Sequence, residues 1–205
     1  MAEKKSMQSV VLTIALAVLV PVTAWLVWQA LVPVRSMETW PKAARAMGLT
    51  YTPMPGATTI HPGTISGVLD GHALTVEAIG QVRKTYEMTV TVRYKQPLGI
   101  GLRLESDPSL REELADRRTY LTFFDDDWAK RFQPRADDPQ RAVRIVANGN
   151  VVGEINRLTK QGKGFRATDD EIVYFADSVE AKPDKLEDLL RAMVALADRM
   201  ESLAR

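Results

Sequence analysis

The chain has 205 residues, and 27 basic against 26 acidic side chains leave a formal charge of +1, with no cysteine and two histidines. Near-neutral charge removes the electrostatic basis for binding a nucleic-acid backbone, and the lack of cysteine excludes disulfides, thiolate nucleophiles and Cys-ligated zinc. Once a membrane segment is set aside, the length suits one ordinary domain with its own core.

The first element is Val10–Val34, which contains no Asp, Glu, Lys, Arg or His and is bounded by Lys4 and Lys5 before it and Arg35 after it. A helix needs about 20 mostly apolar residues to cross the hydrocarbon core, so residues 10–34 are expected to form a transmembrane helix after a short basic tail, residues 1–9. Trp25, Trp28 and Arg35 fall where the membrane interface is expected, because indole rings and cationic side chains favour the headgroup level. Pro21 is tolerated within such a helix, and Thr13, Thr23 and Gln29 can bond the local backbone. The run is longer than the apolar core of a secretory signal, and it ends in Leu31-Val32-Pro33-Val34-Arg35 without a small-x-small cleavage site. An uncleaved single-pass signal-anchor in a bacterial inner membrane is expected, with the short basic tail cytoplasmic and the domain periplasmic; the alternative is a cytoplasmic domain, since Arg35, Lys42 and Arg45 on the other flank nearly balance Lys4 and Lys5.

Residues 36–205 read as one soluble α+β domain, mostly antiparallel sheet packed with helices. Thr39 as cap, Pro41 in the first turn, apolar Trp40, Ala44 and Met47, and the terminator Gly48 predict a short helix close to the anchor. Trp40 suits either the interface or the core. Leu49–Pro55 reads as a strand, and Thr64–Leu69 with His72–Ile79 forms a hairpin across Asp70-Gly71, a dipeptide suited to positive φ angles. In Thr85–Tyr94 the residues Tyr86, Met88, Val90, Val92 and Tyr94 alternate with Thr85, Glu87, Thr89, Thr91 and Arg93, so one face is buried and the other wet. Ile100, Leu102 and Leu104 repeat the alternation and extend the expected meander to four or five strands.

A helix capped by Asp107 or Ser109 is expected to run through Asp116, followed by short strands at Thr119–Phe124 and Arg131–Arg135 around an acidic loop. Asp138-Pro139 opens another helix, and Val151, Val152, Ile155 and Leu158 make a further helical stripe beyond Asn148-Gly149-Asn150. Gly164–Thr168 and Glu171–Phe175 suggest a second hairpin across Asp169-Asp170. The last helix begins near Pro183 and places Leu186, Leu189, Met193, Leu196, Met200 and Leu203 at alternating spacings of three and four. That stripe either packs on the domain's own sheet or offers Leu189, Met193, Leu196 and Met200 as a partner face.

No motif forces a particular chemistry, and no catalytic, cofactor-binding or metal-ligating residue is expected. His61 precedes a Pro-Gly turn and His72 follows the hairpin turn, both positions that suit an exposed polar residue. Two histidines do not make a three-ligand zinc site without carboxylates, there is no H-E-x-x-H helix, and Ser66-Gly67 lies in a strand and not on a nucleophile elbow. Asp125-Asp126-Asp127, Asp137-Asp138 and Asp169-Asp170 lack the alternating ligand spacing of an EF-hand. Lys160-Gln161-Gly162-Lys163-Gly164 is not a phosphate-binding loop, and Gly99-Ile100-Gly101 is not a dinucleotide fingerprint. Three function classes remain: a non-enzymatic anchored accessory or assembly subunit of a membrane or envelope complex, a lipid- or small-ligand-binding module, and an enzyme using carboxylates alone. The expected partners are the lipid bilayer and a protein partner or second copy, without nucleic acid or cofactor.

Overall fold

The computed structural model describes residues 19–23, 27, 38–54, 63–80, 86–106, 119–121, 126–162, 164–180 and 182–205. Most of the expected 10–34 span, with Trp25, Trp28 and Arg35, lies outside them, as do His61 and the helix expected through Asp116. Residues 19–23 and 27 are helical, and Thr23 Oγ1 donates to the carbonyls of Leu19 and Val20 at 2.8 and 3.0 Å. Among the described residues no helix is long and apolar enough to cross a membrane.

The domain is α+β, built on one antiparallel sheet. Helix α1 (residues 38–46) leads into β1 (Thr50–Thr52), followed by β2 (Thr64–Leu69), β3 (His72–Gly80), β4 (Tyr86–Arg93), β5 (Leu104–Glu105) and β6 (Thr119–Tyr120). Then come α2 (Asp126–Phe132), β7 (Arg135–Ala136), α3 (Pro139–Val146), α4 (Gly149–Gln161), β8 (Gly164–Ala167), β9 (Glu171–Ala176) and α5 (Pro183–Ala204). Among the described residues, seven strands form the sheet in the order β1-β2-β3-β4-β9-β8-β5, and β6 pairs with β7 in a separate ribbon.

Strand register sorts the side chains into two faces. The row Tyr51, Ile65, Val76, Val90, Tyr174, Phe165 runs across six strands, and a parallel row joins Leu74, Val92, Ile172, Ala167 and Leu104. Both rows feed one core that also takes Trp40, Ala43 and Ala44 of α1, Ile145 of α3, Ile155 and Leu158 of α4, and the inner stripe of α5. The opposite face carries Ser66, Thr75, Thr91, Val173, Arg166 and Glu105 in register, a polar surface broken by the buried Val173. Period-2 alternation in β3 and β4 thus covers one face with helices and leaves the other polar.

Several expectations are met where the governing signal is local. Asp70 and Gly71 both take positive φ (50° and 86°) in the β2–β3 turn, as the hairpin requires. Asp138 caps α3 by accepting from Arg141 N at 3.1 Å, with Pro139 in the first turn, and Asn148 caps α4 through Asn150 N and Val151 N. Gly48 at φ 69° ends α1, where Leu49 N donates back to Ala44 O at 2.8 Å. Thr39, expected as the cap of α1, lies inside it, since the helix already includes residue 38.

Other expectations are corrected. Ile100 and Leu102 do not continue a meander: only Leu104–Glu105 is strand, it pairs with β8 at the far edge, and β4 takes β9 as its second neighbour. Gly99 and Gly101 hold positive φ (63° and 64°), which breaks the extended run, and the backbone N–H groups of 100–102 are taken by a side chain described below. Arg131–Arg135 is likewise no strand. Residues 126–132 form α2, where Trp128 stacks on Phe132 with ring centroids 4.7 Å apart, and only Arg135–Ala136 is extended.

On α5 the buried stripe is Leu186, Leu190, Met193, Val194, Leu196, Ala197, Met200, Glu201 and Ala204. It is wider than a heptad seam and centred one position away from it, as for a helix lying on a sheet. Met193, Leu196 and Met200 are occupied within the chain's own core, so the alternative of a partner face there loses three of its four residues, and Leu189 sits half-buried at the rim. Leu190→Ala is expected to lower the unfolding free energy in urea by about 2–5 kcal/mol. Leu189→Ala is expected to lower it less, and equal losses would contradict this placement of the stripe.

Candidate functional site

Two polar constellations stand at the same end of the sheet, where β3 begins and β4 ends. The first is centred on His72. Its position two residues before Leu74 puts it on the apolar face, and it is fully buried, which corrects its reading as an exposed turn residue. Nδ1 lies 3.0 Å from the Arg93 carbonyl and Nε2 lies 3.0 Å from Asp198 Oδ1 on α5. Both contacts are to acceptor oxygens, and which ring nitrogen donates depends on the tautomer. Lys95 Nζ donates to the same Asp198 oxygen at 2.6 Å. Glu201, one turn along α5 and buried, accepts from the backbone N–H groups of Lys95 and Gln96.

Electrostatics follow from this geometry. The hydrogen bond from Lys95, and then that from His72, hold the Asp198 carboxyl below its ordinary value of 3.8, against a smaller opposing effect of burial. Tyr94, buried beside Met200 with its hydroxyl 3.5 Å from the sulfur, is pushed well above the ordinary tyrosine value by burial, with Asp169, Glu201 and Glu171 adding to the shift.

His72, Asp198 and Glu201 bring one donor atom each within 4.8 Å of one another, a nitrogen and two oxygens that could ligate a divalent ion. Each donor is nevertheless committed to a protein partner, and the Lys95 ammonium already supplies the positive charge on Asp198. The cluster therefore acts as a polar clamp of α5 onto the β3 and β4 ends. A general acid requires a carboxyl raised towards neutrality, whereas Asp198 is held down.

The second constellation lines a cleft of about 830 Å³ bounded by residues 99–103, Glu105, Asp137, Asp138, Arg166 and 168–170. At its floor the Asp169 carboxylate accepts from Ile100 N and Gly101 N through Oδ2 (3.0 and 2.8 Å) and from Leu102 N through Oδ1 (2.8 Å). Successive N–H groups around left-handed glycines make an anion-binding nest, and here the chain's own carboxylate fills it. The Gly99-Ile100-Gly101 run thus binds an internal anion and not a nucleotide. A Cβ on Gly101 would collide with the Asp137 carboxylate, so glycine is required by space as well as by φ. Arg103 pairs with Glu105 at 3.2 Å, and Arg166 reaches Glu171 at 3.4 Å while its buried Nε has no hydrogen-bond partner among the described residues. Arg141 extends the same end, donating to the Ala204 carbonyl at the last turn of α5 and to Gly99 O at 3.3 Å.

Sequence reasoning missed Asp198, Glu201 and Lys95, because neither their exposure pattern nor their spacing marks them. His72 was findable, since alternation with Leu74 and Val76 places it on the buried face. Asp126 and Asp127 of the acidic run open α2, a position favoured for carboxylates.

Compared with protein-family models and with curated proteins, the sequence matches none. Among solved structures, the fold is similar to that in the crystal structure of the mycobacterial trehalose monomycolate transport factor A, TtfA. The TM-score is 0.54 at 9% sequence identity, over 83% of this chain and 94% of that chain. At that identity the likeness concerns the fold.

Two expectations follow. Asp198 is lowered in the folded state, so its contribution to stability is present above the ordinary carboxyl value and is lost as pH falls through the lowered one. Asp198→Asn is therefore expected to reduce the melting temperature at neutral pH, with the gap to the parent closing below pH 3.8; a gap independent of pH would exclude the clamp's ionic character. Asp169→Ala strands three backbone donors and is expected to cost on the order of 3 kcal/mol by denaturant unfolding, with hydrogen exchange rising at residues 100–102.

Proposed function

We propose that this chain is a single-pass, membrane-anchored, non-enzymatic accessory subunit of a bacterial envelope complex, in a lipid-transport-related role. The observation that carries the reading is the state of the N-terminal apolar segment. The described side chains Leu19, Val20, Val22 and Val27 are 49–61% exposed. In a run without a charge from Val10 to Val34, lipid is the natural solvent for such side chains. Trp25, Trp28 and Arg35 then fall at the interface by sequence position, and the short basic tail argues for a periplasmic domain.

The fold shared with a mycobacterial transport factor supports the accessory, lipid-related part of the reading. A ligand cavity between sheet and final helix finds less support, because Met88, Val90 and Val92 are buried in one core with Met193, Ala197 and Met200. The polar groups act as ties within the fold, which favours a domain that presents surfaces over one that performs catalysis.

The test is extraction from native membranes in mild detergent, followed by sizing and mass spectrometry. Co-purification with a membrane protein at fixed stoichiometry is expected, while a lone chain carrying bound lipid would replace this reading with ligand binding. Deleting residues 1–35 is expected to release a folded, soluble domain from the membrane fraction, and retention of the truncated chain there would count against the anchor.

A further inference from the structure

The topology gives the domain two chemically different ends, and the chain enters at only one of them. β1 and β3 finish, and β4 begins, at the end where Thr52 pairs with Thr64, Gly80 with Tyr86 and Met88 with Ala176. Glu180 lies just beyond Ala176, and its carbonyl accepts from Trp40 Nε1 at 3.2 Å, which fixes the start of α1 at the same end. Trp40 is fully buried, so this attachment is part of the core.

Distance along the chain sets a bound. Trp40 follows Val34 by six residues, which reach at most about 21 Å when fully extended. The entry end is therefore within roughly that distance of the end of the uncharged segment, whatever path residues 35–39 take. β3, with nine residues, then carries the sheet about 26 Å to the opposite end, where the His72–Asp198–Lys95 clamp and the Asp169 nest lie.

The entry end also bears exposed apolar side chains. Along the open face of β3 the residues are Ala73, Thr75, Glu77 and Ile79; Ile79 is 47% exposed at the entry end, and at the opposite end Ala73 pairs with Val68, itself 65% exposed, so each end of this face carries an apolar group. Met54, two residues beyond Thr52, is 54% exposed at the same end. A thioether and a branched alkyl group suit the boundary between headgroups and acyl chains, while the opposite end holds the paired charges of the clamp and cleft beside the exposed Val68.

We propose that the domain stands end-on against the bilayer, with Met54 and Ile79 inserted at the headgroup–acyl boundary and the clamp and nest end directed away from it. The inference rests on the anchor reading of residues 10–34 and adds to it the orientation of the domain. It leaves the polar sheet face and the far end open to other proteins of the complex.

Because the chain contains no cysteine, Met54→Cys, Ile79→Cys and Val68→Cys each place one environment-sensitive fluorophore at one site. Val68 is the control: it is 65% exposed on the same sheet face but at the opposite end, paired with Ala73. The labelled full chain is reconstituted into phosphatidylcholine vesicles containing lipid spin-labelled near the headgroup in both leaflets. Quenching at positions 54 and 79 several-fold greater than at position 68 is expected. Equal quenching at the three sites, or stronger quenching at position 68, overturns the orientation while leaving the anchor intact. A chain that fails to float with the vesicles overturns the anchor, and the orientation with it.

Discussion

Helix α5 lies across β4 and β9, and the rest of the domain is arranged around that contact. Its stripe from Leu186 to Ala204 covers the apolar rows of the sheet, and burial of such side chains contributes roughly 1.5–3 kcal/mol each before the opposing loss of chain entropy. Packing of this kind is non-directional and would tolerate a helix slid along the sheet. The polar contacts at the far end remove that freedom. Asp198 meets His72 and Lys95, Glu201 meets the Lys95 and Gln96 amides, and Arg141 meets the terminal carbonyl, so each fixes the helix in register and direction.

A similar logic explains why the chain leaves the sheet after β4. The glycines at 99 and 101 turn three successive amides towards one point, and Asp169 from the β8–β9 turn supplies the anion they need. That contact crosses from the segment after β4 to the turn between β8 and β9, and it helps to seat β9 beside β4 and β8 next to it. A three-donor bond to a carboxylate is strong in a partly buried setting because water competes poorly there. The cleft beside it is polar for structural reasons.

These ties concentrate at the end of the sheet away from the start of α1. At the other end the closing contact is Trp40 to the Glu180 carbonyl, and the exposed Met54 and Ile79 stand there among exposed polar groups such as Glu38 and Asp177. A domain proposed to stand on a membrane thus has Met54 and Ile79 exposed next to its point of entry and its polar ties at the opposite end.

The sequence by itself determined the elements whose signals are short-range. Asp70-Gly71 specifies its turn through positive φ, Asp138-Pro139 and Asn148 start their helices through side-chain caps, and alternation in β3 and β4 assigns their faces. It also determined that Val10–Val34 carries no charge, whereas His72, read as an exposed turn residue, proved to be buried beside Leu74. Tertiary structure alone decided that Ile100 and Leu102 leave the strand, that β9 displaces the expected next neighbour of β4, and that residues 126–132 coil into a helix. It alone brought Asp198, Lys95 and Glu201 to His72. The reason is the range of the forces: φ preferences and caps act within a few residues, whereas sheet order and ion pairing depend on groups about 70 to more than 100 positions apart, whose meeting is fixed only once the core has closed.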